Sequence, residues 1–225
     1  MNGILVVNHF LTKNKFNELH NHILNTAKKE NISLEIKTNL ALATERVDAD
    51  FVLFWDKDIN LAKRLEKEGL PVFNSAKGIE LCDDKAKTYL ELLGEVNQPK
   101  TIIAPKTFFK SDFSEFVDNA IQILGLPLVF KECFGSFGAQ VFLCNAREEI
   151  LSYITEKPFI LQEFVGASKG RDIRLEVVEM KSLQVLNSLM KTIFVLMLQM
   201  AGQWKNIHLR MMKKKLQLKL VKNLA

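Results

Sequence analysis

The chain has 225 residues, of which 48% are hydrophobic and 25% charged, and its formal net charge is +5. This composition is typical of a soluble globular chain of one or two domains. The sequence at Met1 lacks the charged segment and following apolar run of a signal peptide, so none is predicted. Cys82, Cys133 and Cys144 are odd in number and lack metal-like spacing, which favours reduced thiols in a cytoplasmic protein over a disulfide or a zinc site.

The positive charge is concentrated near the carboxyl end of the chain. Nine of the 31 basic residues but only one of the 26 acidic residues, Glu179, lie at or beyond position 179, so residues 1–178 are mildly acidic. Six of the seven methionines also lie in this last segment. A change of composition this sharp predicts that residues 179–225 differ in origin or role from the rest.

Strand-like and helix-like patterns alternate over residues 1–80. Apolar runs predict strands at residues 3–7, 49–55 and 69–73, and the alternation of residues 33–37 predicts a short strand there. Apolar residues at helical spacing predict a helix that includes Phe16 and Ala27, and Asp58 is the predicted N-cap of a helix over residues 59–67. This alternation predicts a small parallel α/β domain.

A second series of elements begins near residue 80. Asp83 or Asp84 is expected to cap a helix that continues to Leu93. A short strand is predicted at residues 101–104, and helices at 113–121 and 146–154. Two further apolar runs, at residues 128–130 and 141–143, predict strands on either side of a glycine-containing loop.

This loop contains the first candidate functional residues. Lys131 stands at the predicted exit of the first strand, and Gly135 and Gly138 lie in the loop. Glycines let backbone N–H groups approach a phosphate closely, and a lysine adds a point charge for the same anion. The pattern therefore suits a flap over a nucleotide triphosphate, although a hairpin turn with an exposed lysine is the alternative.

A strand with a polar end follows about thirty residues later. Residues 159–165 form an apolar run that ends in Gln162, Glu163, an aromatic residue and an apolar one. After a short linker come Asp172, Ile173 and Arg174, and then a predicted strand over residues 175–178.

Four motifs occur in order: Asp84–Lys85, Lys131 with the glycine loop, residues 161–165, and residues 172–174. Together they resemble the ATP-grasp superfamily, in its branch of RimK-like alpha-L-glutamate ligases and lysine-biosynthesis ligases. The resemblance runs from about Asp83 to Val178 and begins with the Asp84–Lys85 pair that opens a helix. It implies an α/β chain with an incomplete ATP-grasp fold. Residues 1–80 would form a pre-ATP-grasp parallel α/β domain, and residues 81–178 the nucleotide-binding region, with the first ATP-grasp subdomain and the start of the second.

The resemblance also implies a role for each matched residue. Lys85 and Lys131 would reach the nucleotide phosphates, and Arg174 would face the phosphates or the developing acyl phosphate as the catalytic residue. The remaining nucleotide contacts would be the loop, the adenine hinge and the ribose neighbour, namely Gly135, Ser136, Phe137, Gly138, Gln162, Glu163, Phe164, Val165 and Asp172.

The implied reaction joins a carboxylate to an amine. ATP converts the carboxylate to an acyl phosphate, which the amine then attacks, with ATP and Mg²⁺ as cofactors. The partners would be ATP and an amino acid, a peptide or a protein tail, and the intact family member can be a homo-oligomer. The substrate pair stays open, because several ligase chemistries use the same ATP apparatus.

The resemblance stops at Val178, where the carboxylates that bind magnesium in the family should follow. With free codon choice, one base inserted after the Val178 codon gives a sequence that contains DFRAN and then NGG, in the family's order. We therefore predict that residues 179–225 are an out-of-frame basic tail that is not a family domain. The chain would then be truncated and inactive.

Two other functions compete with the ligase. One is a non-catalytic nucleotide-binding or interaction module with a basic tail. The other is a nucleic-acid binder. Residues 179–225 disfavour it, because their lysine and arginine residues are interleaved with only two aromatic residues, Phe194 and Trp204. A helical, membrane-surface segment over residues 183–200 is a further alternative, but Lys191 argues against a membrane span.

Overall fold

A computed structural model describes residues 1–11, 14–107, 111–136, 138–168, 171–178 and 182–189 of the chain. The chain divides into two compact units, whose main parts are Met1–Glu80 and Leu81–Glu176. Each unit has its own sheet and its own apolar core.

The first unit is built on a four-stranded parallel sheet with the order β2-β1-β3-β4. The strands are β1 (Asn2–Val7), β2 (Ser33–Thr38), β3 (Phe51–Trp55) and β4 (Val72–Phe73). The helices of this part of the chain are α1 (Asn14–Lys29), α2 (Asn39–Leu42), α3 (Ile59–Lys67) and α4 (Ala76–Asp83). The parallel α/β order predicted from the sequence is confirmed, but the fourth strand is shorter than predicted.

Helix α3 begins where the sequence predicts. The side chain of Asp58 accepts a hydrogen bond from the backbone N–H of Leu61 at 3.0 Å, which satisfies a donor that the first turn leaves free. Leu61 and Leu65 are buried in the core beside Phe54 of β3. The cap therefore fixes the start of a helix whose apolar side packs on the parallel sheet.

The second unit is built on a four-stranded sheet with the order β5-β8-β6-β7, in which neighbouring strands are antiparallel. The strands are β5 (Thr101–Ile103), β6 (Leu128–Glu132), β7 (Val141–Cys144) and β8 (Phe159–Glu163). The helices are α5 (Lys85–Glu91), α6 (Ser114–Leu124) and α7 (Arg147–Tyr153).

One face of this sheet is packed with aromatic and aliphatic side chains. Phe130 is buried and stacks on Phe159, with ring centroids 4.9 Å apart. Leu128, Leu161 and Val117 of helix α6 belong to the same cluster. Because side chains alternate across a strand, the neighbours of these residues in sequence project from the opposite face.

Beyond the antiparallel sheet, β9 (Arg171–Val178) and β10 (Ser182–Leu189) form a two-stranded sheet. The predicted strand at residues 175–178 thus begins earlier, at Arg171. Strand β9 pairs with β10, so a second paired strand follows Val178. Residues 183–189 are extended, so the helical alternative fails for them, and among the described residues no helix has the length and hydropathy needed to cross a bilayer.

Candidate functional site

The face of the antiparallel sheet opposite the aromatic core carries the polar groups singled out in the sequence. We call it the open face, and it is formed by Thr101, Val129, Lys131, Val141, Leu143, Ile160 and Gln162. In one row, Thr101 and Val129 lie on either side of Gln162, and Leu143 lies beyond Val129. In the next row, Lys131 lies between Ile160 and Val141.

Lys131 lies inside strand β6, whereas the sequence placed it at the strand's exit. Its ammonium group donates a hydrogen bond to the side-chain oxygen of Gln162 at 2.5 Å. Gln162 in turn donates through its amide nitrogen to the hydroxyl of Thr101 at 2.7 Å. Burial, together with the positive charge of Lys85, lowers the pKa of Lys131 below that of an ordinary lysine.

Lys85 is the first residue of helix α5. Asp84 caps that helix by accepting hydrogen bonds from the N–H groups of Ala86 at 2.9 Å and Lys87 at 3.3 Å. The backbone N–H and the ammonium group of Lys85 both donate to the carbonyl of Cys133, at 3.0 Å and 3.3 Å. Cys133 lies two residues after Lys131, so this attachment brings the two lysines close together.

Two nearby ammonium groups repel each other, and an anion between them relieves the repulsion. The charge of Lys85 accordingly adds to the effect of burial in lowering the pKa of Lys131. The arrangement therefore suits a ligand with several negative charges, such as a polyphosphate.

The loop between β6 and β7 needs glycine at two positions. Gly135 has a φ of 148° and Gly138 a φ of 73°, both in the region that side-chain-bearing residues rarely adopt. A Cβ atom at Gly135 would also collide with the side-chain amide of Gln140. Ser136 accepts a backbone hydrogen bond from Ala139 at 3.3 Å, whereas Phe137 lies outside the described residues.

The thiol of Cys133 is not a reactive group in this loop. The residue is 1% exposed, and burial, with a smaller effect of Asp84, raises the pKa of its thiol to about 11. The part of Cys133 that contributes to the site is its carbonyl oxygen, which accepts from Lys85.

The end of strand β8 is tied to the chain that precedes strand β5. The carboxylate of Glu163 accepts from the backbone N–H of Lys100 at 2.8 Å, and the N–H of Glu163 donates to the Lys100 carbonyl at 2.9 Å. Phe164 is half-buried and Val165 is exposed. The predicted adenine hinge is thus a strand end held in place by its own glutamate.

The remaining two predicted residues belong to a different strand. Asp172 and Arg174 both lie in β9, and their side chains lie outside the described part of the structure. Their predicted roles at the ribose and the acyl phosphate stay predictions. Among the residues that the structure does describe, no group of three or more His, Cys, Asp or Glu side chains could hold a metal ion, so magnesium ligands are not assigned to them.

Sequence reasoning missed Thr101. It faces Gln162 across the β5–β8 pair and also donates to the carbonyl of Pro99 at 2.9 Å. The only signal in the sequence is a polar residue at the start of a short apolar strand, and such residues are common. The importance of Thr101 depends on strand register, which brings together residues far apart in the chain.

Comparison with protein families decides the family. The sequence model of the RimK-like ATP-grasp domain matches residues 82–224, which is more than half of the chain. The chain belongs to this family. The resemblance read from the motifs is therefore confirmed, as is the α/β ATP-grasp fold that it implied.

Sequence and structure searches agree with this assignment. The chain is 31% identical over 166 residues to an uncharacterized protein of Mycoplasma genitalium, which covers 69% of this chain and 57% of that protein. It is 32% identical over 165 residues to human beta-citrylglutamate synthase B, covering 68% of this chain and 41% of the synthase. The fold is similar to that of a RimK-domain ATP-grasp protein from Sphaerobacter thermophilus, with a TM-score of 0.62 and 21% identity over 81% of this chain and 70% of the other.

The extent of these matches bears on the end of the chain. The chain spans less than two thirds of the length of both curated relatives. The family match itself continues past Val178 to residue 224, and so includes most of the segment that the motif reading placed outside the family. The out-of-frame origin of that segment stays a prediction.

Proposed function

We propose that the RimK-like ATP-grasp region of this chain binds ATP on the open face and belongs to an ATP-dependent carboxylate–amine ligase. The observation that carries the proposal is that Lys131 bonds to Gln162 near the end of strand β8, while Lys85 bonds to the carbonyl of Cys133, two residues from Lys131. Two cations next to a strand end suit a ligand with a polyphosphate at one end and a hydrogen-bonding base at the other.

In this proposal each part of the site takes one part of the nucleotide. Lys85 and Lys131 hold the phosphates, and the loop that contains Gly135 and Gly138 covers them. The backbone of residues 163–165 meets the edge of the adenine ring. Val141 and Leu143, which are 39% and 38% exposed on the open face, offer an apolar surface for the flat side of the ring.

ATP supplies the phosphoryl group that activates the carboxylate. The residues of the chain orient the triphosphate and offset its charge, which is the main contribution of a protein to phosphoryl transfer. Because Lys131 is half-buried, its charge acts through a weaker dielectric screen than a surface lysine would have. Asp172 and Arg174 keep their proposed places at the ribose and the acyl phosphate.

We also propose the class of substrate and the location of the protein. The substrates would be an amino acid and a peptide or protein tail, as the family resemblance implies. Cys82, Cys133 and Cys144 are all free thiols, which fits a reducing compartment and thus the cytoplasm.

Nucleotide binding can be tested on the full 225-residue chain by titration calorimetry with ADP. We expect saturable binding that is lost when Lys85 and Lys131 are both replaced by alanine. Lys157→Ala is the control, because Lys157 pairs with Glu132 at 3.0 Å and is well exposed. A double variant that binds ADP as tightly as the parent would show that these lysines are not the phosphate site.

We further propose that the 225-residue chain does not turn over substrate, since the sequence after Glu179 contains no acidic residue that could contribute to a magnesium site. The test compares the chain as written with one in which a base is restored after codon 178, by ADP release with glutamate-like carboxylates and amines in magnesium buffer. Turnover only in the restored protein is the expected result. Equal turnover would refute the frame break, and ADP binding without turnover in either protein would favour a non-catalytic nucleotide-binding module.

A further inference from the structure

A series of three hydrogen bonds crosses the open face and ends on Lys131. The ammonium group of Lys131 donates to the side-chain oxygen of Gln162 at 2.5 Å, and the Gln162 amide nitrogen donates to the Thr101 hydroxyl at 2.7 Å. The Thr101 hydroxyl donates in turn to the carbonyl of Pro99 at 2.9 Å. The three side chains lie on the neighbouring strands β6, β8 and β5.

Donor and acceptor chemistry fixes the direction of all three hydrogen bonds. A carbonyl only accepts, so the single hydroxyl hydrogen of Thr101 is used by Pro99. The hydroxyl then presents only lone pairs to Gln162, and the NH₂ group of that amide must point toward it. The amide oxygen is therefore left facing Lys131, whose ammonium group can only donate.

A fixed acceptor matters at this position because of the neighbouring charge. The ammonium group of Lys85 is bonded to the carbonyl of Cys133, two residues from Lys131, and the two nearby ammonium groups repel each other. A lysine side chain has a flexible four-carbon stem that would otherwise move away. The Gln162 amide holds it by a hydrogen bond, and because the amide is neutral it leaves the positive charge of Lys131 uncancelled.

We propose that Gln162 and Thr101 are positioning residues that hold the ammonium group of Lys131 in place on the open face without neutralising it. This inference rests on the proposed role of Lys131 at the nucleotide phosphates. It assigns the side chain of Gln162 to the phosphate lysine and not to the adenine base. It also adds Thr101, which would set the direction of the Gln162 amide.

The first test uses a matched pair of variants at position 101. Thr101→Val keeps the branched shape but removes the hydroxyl, whereas Thr101→Ser keeps the hydroxyl. In the full chain we expect Thr101→Val to raise the Kd for ADP by about three- to tenfold, the effect of one neutral hydrogen bond, and Thr101→Ser to restore binding close to that of the parent. Equal Kd values in the parent and Thr101→Val would overturn the role of Thr101.

The second test changes the charge at position 162. Gln162→Glu keeps the size of the side chain but places a carboxylate against Lys131, which cancels the charge offered to the phosphates. We expect the Kd for ADP to rise by at least about tenfold. ADP binding as tight as that of the parent would overturn the proposal that a neutral partner is required.

A titration of Lys131 separates positioning from a merely structural role. The lysines are labelled with ¹³C, and the Lys131 signal is identified by its loss in Lys131→Met. In the nucleotide-free chain, Gln162→Glu should raise the pKa of Lys131 and Thr101→Val should lower it, while Thr101→Ser leaves it unchanged. If the parent binds no ADP, the proposed function fails, but this titration still decides whether Gln162 and Thr101 control Lys131; identical curves in all four proteins would show that they do not.

Discussion

The two sheets of this protein place their polar groups differently. In the parallel sheet, strand β1 is apolar along almost its whole length, and Ile4, Leu5, Val6 and Val7 are all at most 5% exposed. Asn8 and Asp56 follow the central strands β1 and β3, and the Asn8 amide donates to the Asp56 carboxylate at 2.9 Å, whereas the edge strand β2 carries Glu35 and Lys37 within the strand. A strand that is buried on both faces has no face left for chemistry.

The antiparallel sheet separates its two faces. Phe130 and Leu161 project into the aromatic core, while Lys131 and Gln162, their neighbours in sequence, lie on the open face. The packed face of this sheet is apolar, whereas the opposite face, on which Ile160 is also buried, holds Lys131 and Gln162 in register for a ligand. Folding stability and ligand binding should therefore depend on alternate residues of the same strand.

The largest expected effect is on the packed face. Phe130→Ala removes a fully buried ring that stacks on Phe159, and should lower the free energy of unfolding by about 3–5 kcal/mol. Val129→Ala, one residue away on the open face, should cost less than about 1.5 kcal/mol because Val129 is only half-buried. Urea denaturation of the two variants measures both values, and equal losses would show that the two faces are not distinct.

Replacing the open-face lysine should affect binding and stability in opposite directions. Lys131→Met keeps most of the apolar stem and removes the charge, so nucleotide binding should weaken by about 1.5–3 kcal/mol, the value of a charge-assisted hydrogen bond. The free energy of unfolding should stay the same or rise, because a half-buried cation beside Lys85 is lost. Calorimetry with ADP and urea denaturation test the two expectations, and a variant that binds normally but unfolds more easily would contradict both.

A smaller effect is expected in the loop that joins strands β6 and β7. Gly135→Ala forces a side chain into a φ of 148° and against the Gln140 amide, and should lower the free energy of unfolding by about 1–3 kcal/mol. Gly138→Ala is the matched control, since its φ of 73° is strained but no atom lies within 4 Å of the added Cβ. Thermal unfolding should rank Gly135→Ala below Gly138→Ala, and the reverse order would show that the Gln140 contact is unimportant.

Local patterns in the sequence were sufficient to predict most of the fold. Asp58 at the start of α3 and the alternation of strands and helices are signals read from neighbouring residues, and the structure confirms both. Helix α4 was missed because Gly78 and Lys77 interrupt its apolar pattern. Strand β4 was predicted too long because only Val72 and Phe73 find partners in β3.

The candidate site was less accessible to sequence reasoning. Motif resemblance pointed to Lys131 and Gln162 separately, but their contact depends on the register of two strands 31 residues apart in sequence. Thr101 lies 61 residues before Gln162 and belongs to no motif. Registers between distant strands are set by the packing of whole faces, so a single sequence does not reveal them.

The smallest expected effect is a dependence on pH. Burial and the charge of Lys85 lower the pKa of Lys131 in the folded protein below the ordinary value of 10.5. As the pH rises through this lowered pKa, the folded protein loses a proton that the unfolded chain still holds, so the free energy of unfolding should increase.

A bound polyphosphate favours the charged form of Lys131, so nucleotide binding takes up part of a proton and should weaken over the same range. The stability and the affinity of the site should thus respond to alkaline pH in opposite directions. The informative quantity is the difference between the parent and Lys131→Met. Calorimetry with ADP in two buffers of different ionisation enthalpy should find proton uptake in the parent and less in the variant, and equal uptake would mean that the protonation of Lys131 is not linked to nucleotide binding.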